Sequence, residues 1–303
     1  MLTIRPTPIL DAQLVSSTVA ETDHAAWSAA TAYAAGDKVI RTSTHRIYQR
    51  VTSGTTATAP ELDTVHWVDI APTNRWAMFD GVVGSVTTAS DSLTVVLAPG
   101  RINALALLAV DASTVAISLV VDSATVYSAS LDLDSGVKVG NWYDYFYEPV
   151  YVTDTVVVTD LLDAALLDIP AYGEGQLTVT LTRTGGTVSL GCLVVGLSVT
   201  LGTTLEKPVV SITDYSRKTT DDYGNVTVTR RAYSKRMNAE VVVQQADVDN
   251  VVRVLTQYRS TPLVWVAAGN LFSCLIVYGF CKDWSLPVGR VISQLHLEIE
   301  GLT

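Results

Sequence analysis

Four aromatic residues in the first quarter of the chain are the side chains best suited to ligand chemistry. Trp27, Tyr33, Tyr48 and Trp67 are spaced by short apolar runs and by the pair Gly36-Asp37, which is typical of a turn. An indole or phenol ring has an apolar face with a hydrogen-bonding edge, and this matches the C–H face of a sugar. We therefore predict carbohydrate binding by these four residues. Trp27 and Trp67 also suit a purely structural role, which makes Tyr33 and Tyr48 the candidates for surface stacking.

Catalytic patterns are missing from the sequence. There is no Gly-x-Ser-x-Gly elbow and no phosphate-binding Gly-rich loop. Asp132 with Asp134, and Asp221 with Asp222, could be interpreted as metal ligands or acid/base pairs, but neighbouring carboxylates on turns are usually solvated. We predict no catalytic residues, no metal, no cofactor and no enzymatic activity. The histidines do not have the spacing of metal ligands; they are His24, His45, His66 and His296.

The cysteines and the hydropathy pattern exclude further classes. Cys192, Cys274 and Cys281 are odd in number and lack CxxC spacing, so neither a disulfide framework nor a zinc site is expected. Small buried apolar side chains are the simpler interpretation. No apolar run reaches 18 residues, so we expect no membrane insertion. The first residues lack a basic segment followed by an apolar one, so we expect no signal peptide.

The charge is distributed unevenly. Residues 1–205 contain 9 Lys and Arg against 20 Asp and Glu, a formal charge of −11, whereas residues 206–303 contain 11 against 10. The acidic part disfavours nucleic-acid binding, which needs a basic surface. The change in charge near residue 205 predicts a domain boundary there.

The strand pattern predicts a mainly β chain in four parts. Pro6 and Pro8 indicate an extended N-terminal arm over residues 1–25, which could dock on a neighbouring subunit. Residues 26–72 form a small β module with strands at 38–41 and 46–51. Residues 73–205 contain regularly spaced strands separated by Gly, Pro, Asp and Ser, which is typical of an antiparallel sandwich. The aromatic run from Trp142 to Tyr147, with Tyr151, is predicted to form core and subunit interface rather than a sugar-binding patch, because a strand alternates its faces.

Residues 206–303 form a β domain with one predicted helix. Val248, Val251, Val252, Leu255 and Tyr258 follow a helical stripe, which predicts a helix over about 247–259. Strands at 209–215 and 226–232 are predicted to pair as a hairpin around the turn at 221–225. A basic cluster follows, which can be a solvated edge or a contact with an acidic partner. It comprises Arg230, Arg231, Lys235 and Arg236.

Three resemblances to known families cover nearly the whole chain. The order of Trp27, Tyr33, Gly36-Asp37, Tyr48, Pro60 and Trp67 resembles the small chitin-binding modules of carbohydrate-binding families 5 and 12. Segments 141–149, 169–172 and 190–196 resemble galactose-binding-like jelly rolls of phage tail proteins. Segments 74–80, 214–225, 233–237, 275–280 and 297–302 resemble tail proteins of long-tailed phages, and the nearest class is a baseplate or distal-tail-like protein.

These resemblances imply a structural protein of the virion tail, assembled in the host cytoplasm. They imply a ring of copies of the chain, a hexamer, that joins the tail tube to the receptor-binding apparatus of hub and fibre proteins. The small module would then be an accessory glycan-binding module, or a spacer that has lost its glycan binding. One alternative is an adhesin of the tail that binds a cell-surface glycan. A glycan hydrolase is the less favoured alternative, because no acid/base constellation is present.

Overall fold

The chain is mainly β and antiparallel, as predicted. A computed structural model describes residues 1–133, 154–158, 173–268 and 272–302. The predicted aromatic run from Trp142 to Tyr147 lies outside these residues, as does Asp134. The strands are β1 Leu2–Pro6, β2 Leu14–Ser17, β3 Lys38–Arg41, β4 Arg46–Arg50, β5 Trp67–Pro72, β6 Thr87–Leu97, β7 Ala104–Asp111, β8 Thr114–Val121, β9 Ala124–Asp132, β10 Thr155–Val158, β11 Gln176–Thr200, β12 Thr203–Thr204, β13 Val209–Asp214, β14 Arg217–Thr220, β15 Val226–Thr229, β16 Tyr233–Gln244, β17 Leu263–Val266, β18 Ile276–Ser285 and β19 Ile292–Gly301.

The long strand β11 builds the β-sandwich. Its first part pairs with β8, its second part pairs with β7, and β6 lies along its other side. The register shifts between Thr182 and Thr187, where Gly185 has φ +73°. A β-bulge bends a strand and increases its twist, so the two parts of β11 can belong to two packed layers.

The sandwich core follows from alternation along the strands. In β6, Leu93, Val95 and Leu97 are buried, whereas Thr94 and Val96 between them are half-buried. In β11, Leu177, Val179 and Leu181 alternate in the same way and join the same cluster. Successive side chains of a strand point to opposite faces, so the apolar set of each strand enters one core.

The beginning of the predicted N-terminal arm is an internal strand. β1 lies between β11 and β17 and pairs with both, so it joins the sandwich to the C-terminal sheet. Ile4 is fully buried, and the Thr3 hydroxyl donates to the Val264 carbonyl at 3.2 Å. These residues are therefore extended, as expected, but they pair within their own chain.

The C-terminal part is a sheet covered by the predicted helix. Helix α1 spans Val248–Gln257, within the predicted limits. Val251, Val254 and Leu255 are buried against β16, β17 and β19, in the same cluster as Trp265. Val252, assigned to the stripe from sequence, is only half-buried. Within the described residues, no helix is long and apolar enough to span a bilayer.

The three cysteines differ in environment. Cys192 is buried, and this burial raises the pKa of its thiol to about 12. Cys281 is half-buried, but Cys274 is exposed. The expectation that all three are buried apolar side chains is therefore wrong for Cys274, which lies in a short 3₁₀ turn before β18.

Candidate functional site

The small module is a three-stranded sheet in the order β3-β4-β5. The predicted turn at Gly36-Asp37 leads into β3. Gly36 has φ +96°, a conformation that favours glycine, and the Asp37 carboxylate accepts from the Ala34 N–H at 2.7 Å. This hydrogen bond therefore stabilises the turn immediately before β3 begins.

The aromatic residues chosen from sequence form the core of this module. Tyr33, Tyr48 and Trp67 are 9%, 5% and 2% exposed and cluster with Val39. The rings of Tyr33 and Trp67 meet edge to face, with centroids 5.1 Å apart and an interplanar angle of 73°. Such pairs add to the stabilisation from buried area alone. The tertiary structure thus brings together all four predicted residues, with Trp27 half-buried at the edge.

The polar groups of these rings form hydrogen bonds within the module. The Tyr33 hydroxyl accepts from the Ser28 N–H at 2.8 Å, and the Trp67 indole N–H donates to the Thr56 hydroxyl at 3.4 Å. The Arg41 guanidinium lies over the Trp27 ring, 5.0 Å from its centroid. The structure therefore corrects the prediction for Tyr33 and Tyr48, because a buried ring offers no face on which a sugar can stack.

The exposed large apolar side chains of the module are aliphatic. Leu62 is 77% exposed, Val65 is 75% exposed and Val68 is 50% exposed. Aliphatic side chains lack the flat π surface that stacks on a pyranose ring. This surface suits contact with protein better than contact with a glycan.

Acid is expected to weaken the module through one ion pair. Arg41 donates to both carboxylate oxygens of Glu61, at 2.7 and 3.1 Å, and these hydrogen bonds lower the pKa of Glu61 below 4.5. The unfolded state then binds more protons, so this stabilisation is present above about pH 4.5 and is lost as pH falls. The free energy of unfolding of the module is measured by denaturant titration, monitored by NMR, at about pH 6 and at about pH 3. The decrease between these two pH values should be smaller in Glu61→Gln than in the unmodified chain. An equal acid effect in both proteins would contradict this.

A further candidate residue, which the sequence pattern did not indicate, lies at the junction of the module. His45 follows the turn between β3 and β4, and its ring lies between the carboxylates of Asp11 and Glu21. Its ring also stacks on Trp76, with centroids 4.0 Å apart and an interplanar angle of 19°. The spacing of the histidines in the sequence was compared only with that of metal ligands. Asp11 and Glu21 lie 34 and 24 residues from His45, so no local sequence pattern indicates these contacts.

An open cleft of about 570 Å³ lies beside His45. Leu10, Pro72 and Phe79 contribute apolar surface, and Asp80 and Arg46 are charged residues in its lining. The cleft lies between the module and the start of the sandwich, and His45 contacts Asp11 and Trp76, which also line it.

A second candidate surface is the stretch 209–236, which we call the hairpin extension. Sequence analysis paired residues 209–215 with 226–232, but this pairing is wrong. β13 pairs with β16, and the hairpin consists of the shorter strands β14 and β15. The turn itself was predicted correctly: Gly224 has φ +86°, and the Asp221 carboxylate accepts from the Asn225 N–H at 2.8 Å.

The Asp221 carboxylate accepts more than one hydrogen bond from Asn225 within this turn. The Asn225 side-chain amide also donates to it at 2.9 Å, and together these bonds lower the pKa of Asp221. Asp221 therefore serves as a turn residue. Across the residues that the structure describes, no group of three or more His, Cys, Asp or Glu is arranged to hold a metal ion.

No protein-family model matches the chain, and no curated protein is significantly similar to it.

The hairpin extension is apolar and basic on its surface. Residues 209–236 contain six Lys and Arg against three Asp. Its exposed large side chains are Val209, Val210, Ile212, Tyr215, Tyr223, Val226, Val228 and Tyr233. An isolated two-stranded hairpin is marginally stable in water, so such a surface is suited to docking.

The hairpin also has two different faces. The register places Val226 opposite Thr220 and Val228 opposite Lys218, so both valines lie on one face together with these two polar residues. The opposite face presents Thr227, Thr229 and other polar side chains. In antiparallel sheets this alternation is typical of one buried face and one solvated face, yet both valines are more than half exposed in the single chain.

Proposed function

We propose that the chain is a structural component of a phage tail tip or baseplate. Copies of it assemble into a ring that links the tail tube to the receptor-binding apparatus, with hub and fibre proteins as neighbours. The hairpin extension is the observation that carries this proposal, because it exposes eight large apolar side chains, which a second copy can cover. The resemblance of the chain to phage tail proteins supports the tail location.

Energy and charge both favour assembly through this surface. Fully burying an exposed Val or Ile side chain contributes about 1.5–3 kcal/mol, and the extension exposes five such side chains and three tyrosines. The extension carries excess positive charge, whereas residues 1–205 have a formal charge of −11. A head-to-tail contact of the extension with the acidic part of the next copy is heterologous, and heterologous contacts generate rings when the rotation closes.

The small module is then proposed as a rigid spacer or protein-contact module. The role of a glycan-binding adhesin has less support, because the rings that would stack on a sugar are buried. The proposed role is structural rather than enzymatic.

Charge reversal in the extension is expected to abolish assembly. Arg230 and Arg231 are exposed, so their replacement by glutamate should leave the fold intact while opposing the acidic partner. Native mass spectrometry should show a closed oligomer for the unmodified chain and monomers for the Arg230→Glu, Arg231→Glu variant. Higher salt should weaken the unmodified assembly.

A matched control uses one exposed position on helix α1 and one just after it. Arg253→Glu with Arg259→Glu makes the same change in net charge at two exposed positions outside the extension, and it should preserve the oligomer. A monomeric unmodified chain, or equal loss of assembly in the control, would contradict the ring. Gold-labelled antibodies should mark the tail tip of virions from a phage that encodes the chain, and unlabelled tails would contradict the location.

A further inference from the structure

Strand β13 lies at an edge of the large sheet. Within the described residues it pairs with β16 alone, in one continuous register from Val209 opposite Asn238 to Asp214 opposite Tyr233. An edge strand presents a row of N–H and C=O groups that its own sheet does not use. The free side of β13 is therefore a template on which a further strand can pair.

The register identifies which backbone groups of β13 are free. The Tyr215 N–H donates to the Ala232 carbonyl at 3.2 Å, directly after the last paired residues of β13. In an antiparallel pair, residues that exchange hydrogen bonds alternate with residues that do not. Counting back from Tyr215, every second residue faces β16, so Val210 and Ile212 direct their N–H and C=O groups away from it. Neither of these N–H groups donates to another of the described residues.

The sequence of β13 leaves this edge unprotected. Natural edge strands avoid pairing with other chains through charged residues, proline or a β-bulge. No charged residue and no proline occurs from Val209 to Thr213, and the register contains no bulge. Val209 and Ile212 lie on opposite faces of the strand and are 57% and 61% exposed. An uncharged edge with exposed aliphatic side chains on both faces is suited to pairing with another strand.

We propose that β13 binds a β-strand of the next copy, so that the large sheet continues from one subunit into its neighbour. This inference rests on the proposed assembly and specifies how the two copies meet. In strand addition, main-chain hydrogen bonds provide affinity and alternate side chains provide specificity. The hairpin extension, which includes β13, has six Lys and Arg against three Asp, so the partner strand belongs to the acidic residues 1–205.

Hydrogen exchange resolved to single residues tests the pairing. The amides of Val210 and Ile212 should exchange roughly ten-fold more slowly, or slower still, in the oligomer of the unmodified chain than in the monomeric charge-reversal variant of the extension. The Ser211 amide, which already faces β16, should change less. A second group of slowed amides should appear in one strand of residues 1–205.

A substitution on the free edge gives an independent readout. Ile212→Lys adds the kind of charge by which natural edge strands avoid pairing, and it should convert the oligomer to monomers in native mass spectrometry. Its circular dichroism spectrum should be unchanged, because this side chain is already exposed. Ile292→Lys is the matched control: Ile292 is 60% exposed and lies outside the extension, so this variant should remain oligomeric.

The outcomes separate the strand pairing from the assembly itself. An oligomer in which the Val210 and Ile212 amides exchange as fast as in the monomer, or one that survives Ile212→Lys, would overturn the pairing and leave the ring in place. Slowing confined to β13 would overturn the assignment of the partner strand to residues 1–205. A monomeric unmodified chain would contradict the proposed assembly, and the pairing with it.

Discussion

Replacing Gly196 by alanine is expected to cause the largest loss of stability among single substitutions in the sheet. Gly196 lies in β11 opposite Pro6 of β1 and Ala104 of β7. A Cβ at this position would lie 1.8 Å from the Arg5 carbonyl oxygen, which is backbone and cannot rotate away. β1 would have to separate from β11, and β1 is the strand that connects the sandwich to β17. We expect a loss of about 3 kcal/mol, the upper part of the usual range for overpacking.

Denaturant unfolding followed by circular dichroism measures this loss. Gly173→Ala is the matched control, since its Cβ would meet no atom of the described residues within 4 Å, and it should change the free energy of unfolding by less than about 0.5 kcal/mol. Equal midpoints for the two variants would contradict the close approach of β1 and β11.

Replacing Trp67 by alanine is expected to unfold the small module while leaving the sandwich folded. Trp67 is 2% exposed and contacts Tyr33 in a core of few residues. Truncating a buried tryptophan costs about 3–5 kcal/mol, and a domain this small has little stability to lose. The sandwich has its own core cluster, to which Trp67 does not belong.

Two-dimensional NMR distinguishes these outcomes, because the amide signals of residues 26–72 should lose their dispersion while the others keep theirs. Val65→Ala, two residues away and 75% exposed, is the control and should leave the module folded. Dispersed amide signals from residues 26–72 in Trp67→Ala would show that Trp67 is not essential to the core of the small module. For the same reason, loss of glycan retention in a Tyr33→Ala, Tyr48→Ala variant would not identify a sugar site, since both rings belong to this core.

Local sequence patterns predicted most of the secondary structure correctly. The apolar stripe predicted α1, and the Gly36-Asp37 and Asp221–Gly224 turns form as expected. These features depend on interactions between residues a few positions apart, so they can be read directly from the order of residues. Strand pairing was predicted less well: β13 pairs with β16, and Val226 and Val228 pair with β14 rather than with residues 209–215.

The sequence by itself determined the mainly β class, the position of the helix, the turns and the aromatic cluster of the small module. The tertiary structure alone decided that Tyr33 and Tyr48 face inward, that β1 inserts between β11 and β17, and that His45 meets Asp11 and Glu21. The physical reason is range. Propensity and periodicity are properties of neighbouring residues, whereas burial and ion pairing depend on groups that are distant in sequence and meet only when the chain is folded.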